Sequence, residues 1–110
     1  MELVFATSDL EAAAQSESRL LKIFGASARR AGQRLYELAA LETLAVAAGL
    51  PTLDLRPNPG SGRFSVSVSR GHRITFEPIR NAKADKGVLR LDPASVTAIR
   101  ILTLGGRHDD

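Results

Sequence analysis

Apolar and polar positions change period along this chain, and the changes divide it into elements. Leu3, Val4 and Phe5 form a short apolar run before Thr7, Ser8 and Asp9, the mark of a strand giving way to a helix cap. Ser8 and Glu11 stand at capping-box spacing, in which each side chain accepts a backbone N–H at the helix start. Behind them Leu10, Ala13, Ala14, Leu21 and Phe24 recur on one helical face, with Glu11, Gln15, Ser18, Arg19 and Lys22 mostly on the other. One helix is predicted from Asp9 to Phe24. Gly25 supplies a left-handed closing residue, and Ser27 caps a second helix. That helix keeps Ala28, Ala31, Leu35, Leu38, Leu41 and Ala45 near one stripe, and Gly49-Leu50-Pro51 ends it. So short a connection makes the two helices antiparallel, an alanine-rich hairpin suited to packing on a flat surface.

From Pro51 onward the period is two. Leu53 and Leu55 bracket Asp54, and the stretch Pro57-Asn58-Pro59-Gly60-Ser61-Gly62 reads as a loop. Phe64, Val66 and Val68 then alternate with Arg63, Ser65 and Ser67, and Ile74 and Phe76 with Arg73, Thr75 and Glu77. These two strands make a hairpin. Pairing Val68 with Ile74 and Val66 with Phe76 leaves Arg70-Gly71-His72 as a three-residue turn, whereas a two-residue turn puts Arg73 among the apolar residues. The expected register sends Arg63, Arg73, Thr75 and Glu77 to the sheet face away from the helices. Residues 78–95 read as a long polar connection with a short strand at Val88 to Leu91. Val96 to Leu104, apolar on both faces except at Arg100, reads as an inner strand, closed by Gly105-Gly106-Arg107-His108. The expected fold is α+β, with an N-terminal strand and a two-helix antiparallel hairpin packed on a mainly antiparallel sheet.

Length agrees with one domain over residues 1–110, since a compact unit takes roughly 100 to 150 residues to build a core. A hydrophobic share of 44% and a charged share of 25% match a globular chain and exclude a disordered tail. With no cysteine, neither a disulfide framework nor a cysteine-rich zinc site holds the chain, and His72 and His108 are too isolated to suggest a metal. Gly60 and Gly62 precede a strand rather than a helix, so no nucleotide loop is expected and no cofactor is implied. The sequence has no apolar run near the roughly 18 residues a membrane span needs, and Glu2 stands where a secretory leader carries a cation. A cytoplasmic protein without membrane contact is expected.

Charge alters the picture when read by position. Residues 1–55 carry seven acidic against five basic side chains, while residues 56–110 carry ten basic against five acidic, eight of the ten being arginine. Arginine forks bind phosphate oxygens bidentately, so the strand half suits a polyanion, while the bland reading is an outer sheet face solvated by scattered arginines. The phenylalanines Phe5, Phe24, Phe64 and Phe76 are placed in the core, and Tyr36 is read as a packing residue at the second helix's edge. Few aromatic platforms remain for stacking bases, and any RNA contact rests on phosphate.

The segments Arg63-Phe64-Ser65-Val66, Arg73-Ile74-Thr75-Phe76-Glu77-Pro78 and Val96-Thr97-Ala98-Ile99-Arg100-Ile101-Leu102, in this element order, resemble the RelE/ParE toxins of bacterial toxin-antitoxin systems. The likeness spans the chain and is sharpest to the HigB-like branch, the plasmid maintenance killer proteins. It implies a RelE-like fold and a metal-independent endoribonuclease, an mRNA interferase acting on ribosome-bound messenger RNA. The implied partner is a cognate antitoxin, commonly of helix-turn-helix type, with operator DNA reached only through that complex. Such chemistry needs a base for the ribose 2′-hydroxyl, an acid for the leaving 5′-oxygen and fixed positive charge on the phosphorane. Arginine serves only the last, because its pKa lies above about 12.

Members of this branch tend to carry histidine and lysine before the strand hairpin and a Tyr-His pair at the C-terminus. Ungapped alignment on Phe64 puts Asp54 and Pro57 at the first two places and Arg107-His108 at the last two. Arg73 and His108 carry over as the catalytic candidates, the first as phosphate clamp and the second as proton-transfer residue. Arg56, which stands one position from the lost lysine, together with Arg63, Arg107 and His72, completes the expected RNA-binding set. For most there is a plainer reading: Arg73 paired across the strands with Glu77 or a serine-rich neighbour, His72 solvated in a turn, His108 frayed at the chain end. The altered set also allows a second function, a catalytically degenerate or ParE-like protein that binds an antitoxin and a protein target or operator DNA complex without cutting RNA.

Overall fold

The computed structural model describes residues 1–79 and 92–106. A strand, β1 (Glu2–Phe5), leads into helices α1 (Ser8–Ala14), α2 (Glu17–Phe24), α3 (Ala28–Ala40) and α4 (Leu44–Ala48), followed by strands β2 (Arg56–Asn58), β3 (Arg63–Ser69), β4 (His72–Pro78) and β5 (Ala98–Gly106). The strands form one sheet in the order β1-β5-β4-β3-β2. β1 runs parallel to β5 and every other pairing is antiparallel. The expected α+β architecture is therefore present, with β5 an inner strand. The expected strand at Val88 to Leu91 lies outside the described residues.

Each expected helix is interrupted once, in both cases by a hydroxyl side chain that accepts a backbone N–H. Thr7, rather than Ser8, caps α1 through Leu10 N–H at 3.1 Å. Ser16 then accepts from Arg19 N–H at 3.2 Å, ending α1 and starting α2 on a new axis. Serine and threonine offer the backbone this local alternative to a continuous helix, and the apolar stripe does not reveal it. The break rotates the buried face, so Leu20 and Phe24 are buried and Leu21, expected inside, is 59% exposed. Thr43 does the same between α3 and α4, so Leu44 and Ala47 are buried and Ala45 is not. Gly25 has the expected positive φ of 57°, but Ser27 makes no side-chain cap. Tyr36, expected to pack, is 76% exposed on α3. No described helix is long and apolar enough to cross a membrane.

The core lies between the helices and one sheet face, where Leu20, Phe24, Ala31, Leu35 and Leu38 meet Val66, Ile74, Phe76, Ile99 and Ile101. The β3–β4 register differs from expectation by two residues: Val66 faces Ile74 and Phe64 faces Phe76, and the hairpin closes on Ser69 and His72. Its turn is Arg70-Gly71, with Gly71 at φ 84°. A bulge between Ser67 and Ser69 absorbs the extra residue, so the short turn does not carry Arg73 to the apolar face. The slip also stacks Phe64 on Phe76, ring centroids 6.1 Å apart. Gly105, at φ 76°, lets α2 approach β5: a Cβ there would sit 2.5 Å from Ile23 Cγ2.

Candidate functional site across three strands

Strand alternation puts Arg63, Ser65 and Ser67 of β3 on the sheet face away from the helices, with Arg73, Thr75 and Glu77 of β4 and Arg56 and Asn58 of β2. This far face bears the arginines that the hydrophobic pattern assigned to it. Its centre is the side chain of Arg73, which starts opposite Ser67 and reaches across β3 to the residues just before β2. Small serines at 65 and 67 leave room for that path.

Arg73 is buried, its side chain only 6% exposed. Its Nε donates to Ser65 Oγ at 2.8 Å and its Nη2 to Ser65 O at 3.1 Å. Nη1 donates to Asp54 Oδ2 at 2.9 Å, and Nη2 also donates to the Asp54 carbonyl. These contacts engage four of the five N–H donors of the fork. Among the described residues, these bonds leave one Nη1 donor to offer, where the expected bidentate grip on phosphate takes two. Of the plainer pairings, the one with a serine neighbour is the one formed, through Ser65, while Glu77 holds Arg100 at 2.8 Å.

Asp54 is the site residue to which the sequence reading gave no role, although alignment put it where the resemblance expects a histidine. It follows the short turn Pro51–Leu53, whose Leu53 is fully buried, and it takes a left-handed conformation with φ 46° and ψ 54°. Among the described residues it is the sole non-glycine with positive φ, a region that aspartate enters more readily than most residues. Its carboxylate lies between two guanidiniums, with Arg56 Nε at 3.1 Å and Arg73 Nη1 at 2.9 Å, and remains 44% exposed. The hydrogen bond from Arg73 holds the carboxyl below the usual range; partial burial opposes this and Arg56 reinforces it. Asp54 is thus an ionised proton acceptor in a cationic setting. The signal available beforehand was its place between Leu53 and Leu55, alternating toward the same face as Arg56.

The other expected residues divide. Arg56 and Arg63 are exposed on the far face. The Arg63 guanidinium has no partner among the described residues, while its backbone N–H donates to Ser61 Oγ at 3.2 Å. His72 leaves the set, because alternation on β4 turns it to the helix side. There its ring lies 5.7 Å from that of Phe24, and Nδ1 and Ser69 Oγ are 3.3 Å apart. Arg107 and His108 lie outside the described residues.

No protein-family model and no curated protein matches this chain. Among solved structures it is similar to a YoeB/ParE toxin from Agrobacterium tumefaciens, with a TM-score of 0.52 and 13% sequence identity, covering 98% of this chain and 100% of that one. At that identity the likeness is one of fold, and it extends along the chain. The α+β fold is therefore like that of a YoeB/ParE toxin, while the placement of helices on one sheet face and arginines on the other is read from this chain's own strand register.

Proposed function

We propose that this chain is the toxin of a toxin-antitoxin pair, silenced by a cognate antitoxin, and that it acts as a HigB-like endoribonuclease on ribosome-bound messenger RNA. The observation that carries the reading is the ionised Asp54 carboxylate held between Arg56 and Arg73 on the far face of a toxin fold. In-line cleavage begins when a base removes the 2′-hydroxyl proton and the 2′-oxygen attacks phosphorus. Asp54 is placed to take that proton: its lowered pKa keeps it ionised near neutrality, although it also makes it a weak base. Arg56, Arg63 and the remaining Nη1 donor of Arg73 supply fixed positive charge to the phosphorane. His108 is assigned to protonate the leaving 5′-oxygen, a role that rests on the resemblance. The products are a 2′,3′-cyclic phosphate and a 5′-hydroxyl. Arg107 is kept as a further phosphate contact, again on the resemblance, and the antitoxin is taken to be of helix-turn-helix type, with operator DNA bound only through the complex.

One observation favours a second reading. Arg73 spends most of its fork inside the protein, as expected if the site has become structural and the chain poisons a protein target without cutting RNA. Expression without antitoxin separates the two. The ribonuclease reading expects growth arrest, transcripts ending in 2′,3′-cyclic phosphate, and loss of both with Asp54→Asn or His108→Ala. Arrest with intact transcripts that survives both substitutions supports the binding protein. Unimpaired growth with confirmed expression of folded protein overturns the toxin assignment.

A further inference from the structure

Ser65 is a buried polar residue in the middle of a strand, 5% exposed, where packing favours a β-branched or aromatic side chain. It pairs with Arg56 on β2 and with Thr75 on β4, so its backbone is held from both sides. A buried hydroxyl requires a partner, and this one accepts the Arg73 Nε–H at 2.8 Å. The carbonyl of the same residue accepts from Nη2 at 3.1 Å. Two contacts from one rigid residue, to two different nitrogens of a planar group, fix both the position and the rotation of the fork. The opposite edge of that fork holds the Asp54 carboxylate and carbonyl.

We propose that Ser65 is a positioning residue of this site: it locks the Arg73 guanidinium in one orientation and, through it, sets where the Asp54 carboxylate stands and how firmly its charge is held. The inference rests on the ribonuclease reading for its catalytic consequence, but not for its electrostatic one. The charged groups facing Asp54 are Arg73 from β4 and Arg56 from β2, while β3 between them contributes serines. Loss of the Ser65 hydroxyl leaves a charged N–H unanchored and lets the fork turn away from Asp54. Arg56 alone then holds the carboxylate.

The test uses the full chain with Ser65→Ala, Ser65→Thr and the near-isosteric Ser65→Cys, whose thiol is a weak acceptor. Carbon-detected titration of the Asp54 carboxyl is read beside steady-state cleavage of a messenger RNA on purified ribosomes. Ser65→Ala and Ser65→Cys are expected to raise the Asp54 titration toward the ordinary range. They should also lower kcat about ten- to a hundred-fold, the scale of a small misplacement, with little change in KM. Ser65→Thr, which keeps the hydroxyl, should restore both. A residue needed only for packing would lower thermal stability and leave the Asp54 titration in place. The proposal is overturned by an unmoved Asp54 titration in a folded variant, or by a threonine variant as impaired as the cysteine one. If the unsubstituted protein cuts no RNA, the ribonuclease reading fails and the titration by itself decides the role of Ser65.

Discussion

Replacing Arg73 with alanine separates a buried structural cation from an exposed phosphate clamp. The side chain is 6% exposed, so loss of the two methylenes beyond Cβ removes burial worth at most about 2 kcal/mol. Its bonds to Ser65 Oγ, Ser65 O and the Asp54 carbonyl have a charged donor, which places each near about 1.5 kcal/mol at the lower end of the range. The ion pair is left out because the Asp54 carboxylate is half exposed and rehydrates when its partner goes. Against these losses stands the desolvation of a guanidinium, several kcal/mol, which the alanine variant no longer bears. The net expectation is a destabilisation of about 2–4 kcal/mol. Urea unfolding of a domain this size has a slope of about 1.5–2 kcal/mol per molar, so the midpoint should fall by about 1–2.7 M. Arg73→Lys keeps the charge but not the fork and should lie between. A midpoint within about 0.3 M of the native value, with unchanged slope, would refute the buried network and return Arg73 to the role of an open clamp.

Arg63→Ala should behave oppositely, changing the urea midpoint by less than about 0.5 kcal/mol equivalent while weakening RNA binding and growth arrest; a large loss of stability there contradicts its exposed, unpaired placement. Gly105→Ala forces a Cβ to within 2.5 Å of Ile23 Cγ2 at φ 76°, and should destabilise by about 1–3 kcal/mol, read as a melting point lower by several degrees. The folded Asp54 carboxyl titrates below its unfolded value, near 3.8, so the unfolded state takes up the proton first as pH falls. Its stabilising contribution is full above that value and is lost as pH drops through the folded one. The gap in urea midpoint between the native protein and Asp54→Asn should therefore stay constant from pH 7 down to near the unfolded value of 3.8 and narrow only as pH falls below it, and a gap that stays constant there too would contradict the linkage.

The division between legible and hidden features follows from the range over which each is determined. A two-residue period is local, and it placed Arg63, Arg73, Thr75 and Glu77 on the correct face even with the wrong β3–β4 register. A slip of two residues preserves faces, whereas a slip of one reverses them. Helix breaks are also local, but they depend on one hydroxyl outcompeting the helix ladder at Ser16 and Thr43, which a stripe of apolar residues does not report. The burial of Arg73 is not local at all. It needs the segment ending at Asp54 to return beside β3, and serines at 65 and 67 small enough to let a long side chain cross.

That dependence also changes what the arginine excess of the second half means. An arginine count measures the potential available to a polyanion only if each charge faces solvent unpaired. Here Arg73 and Arg56 share Asp54, and Arg100 holds Glu77, so the two carboxylates offset much of the face. Among the described residues, Arg63 is the arginine of this face that no carboxylate offsets, so phosphate affinity there is weaker than the arginine count implies. The carboxylate that reduces the attraction is the same one that gives the face a proton acceptor. Under the proposed ribonuclease function, a site arranged in this way gives up phosphate affinity in exchange for a proton acceptor, and the ribosome would bring the RNA to it. The corresponding expectation is weak binding to isolated RNA with a shallow salt dependence, tightened and made steeper in salt by Asp54→Asn even as cleavage on the ribosome is lost. Filter binding at two salt concentrations checks it, and equal affinity of the two proteins would contradict the offset.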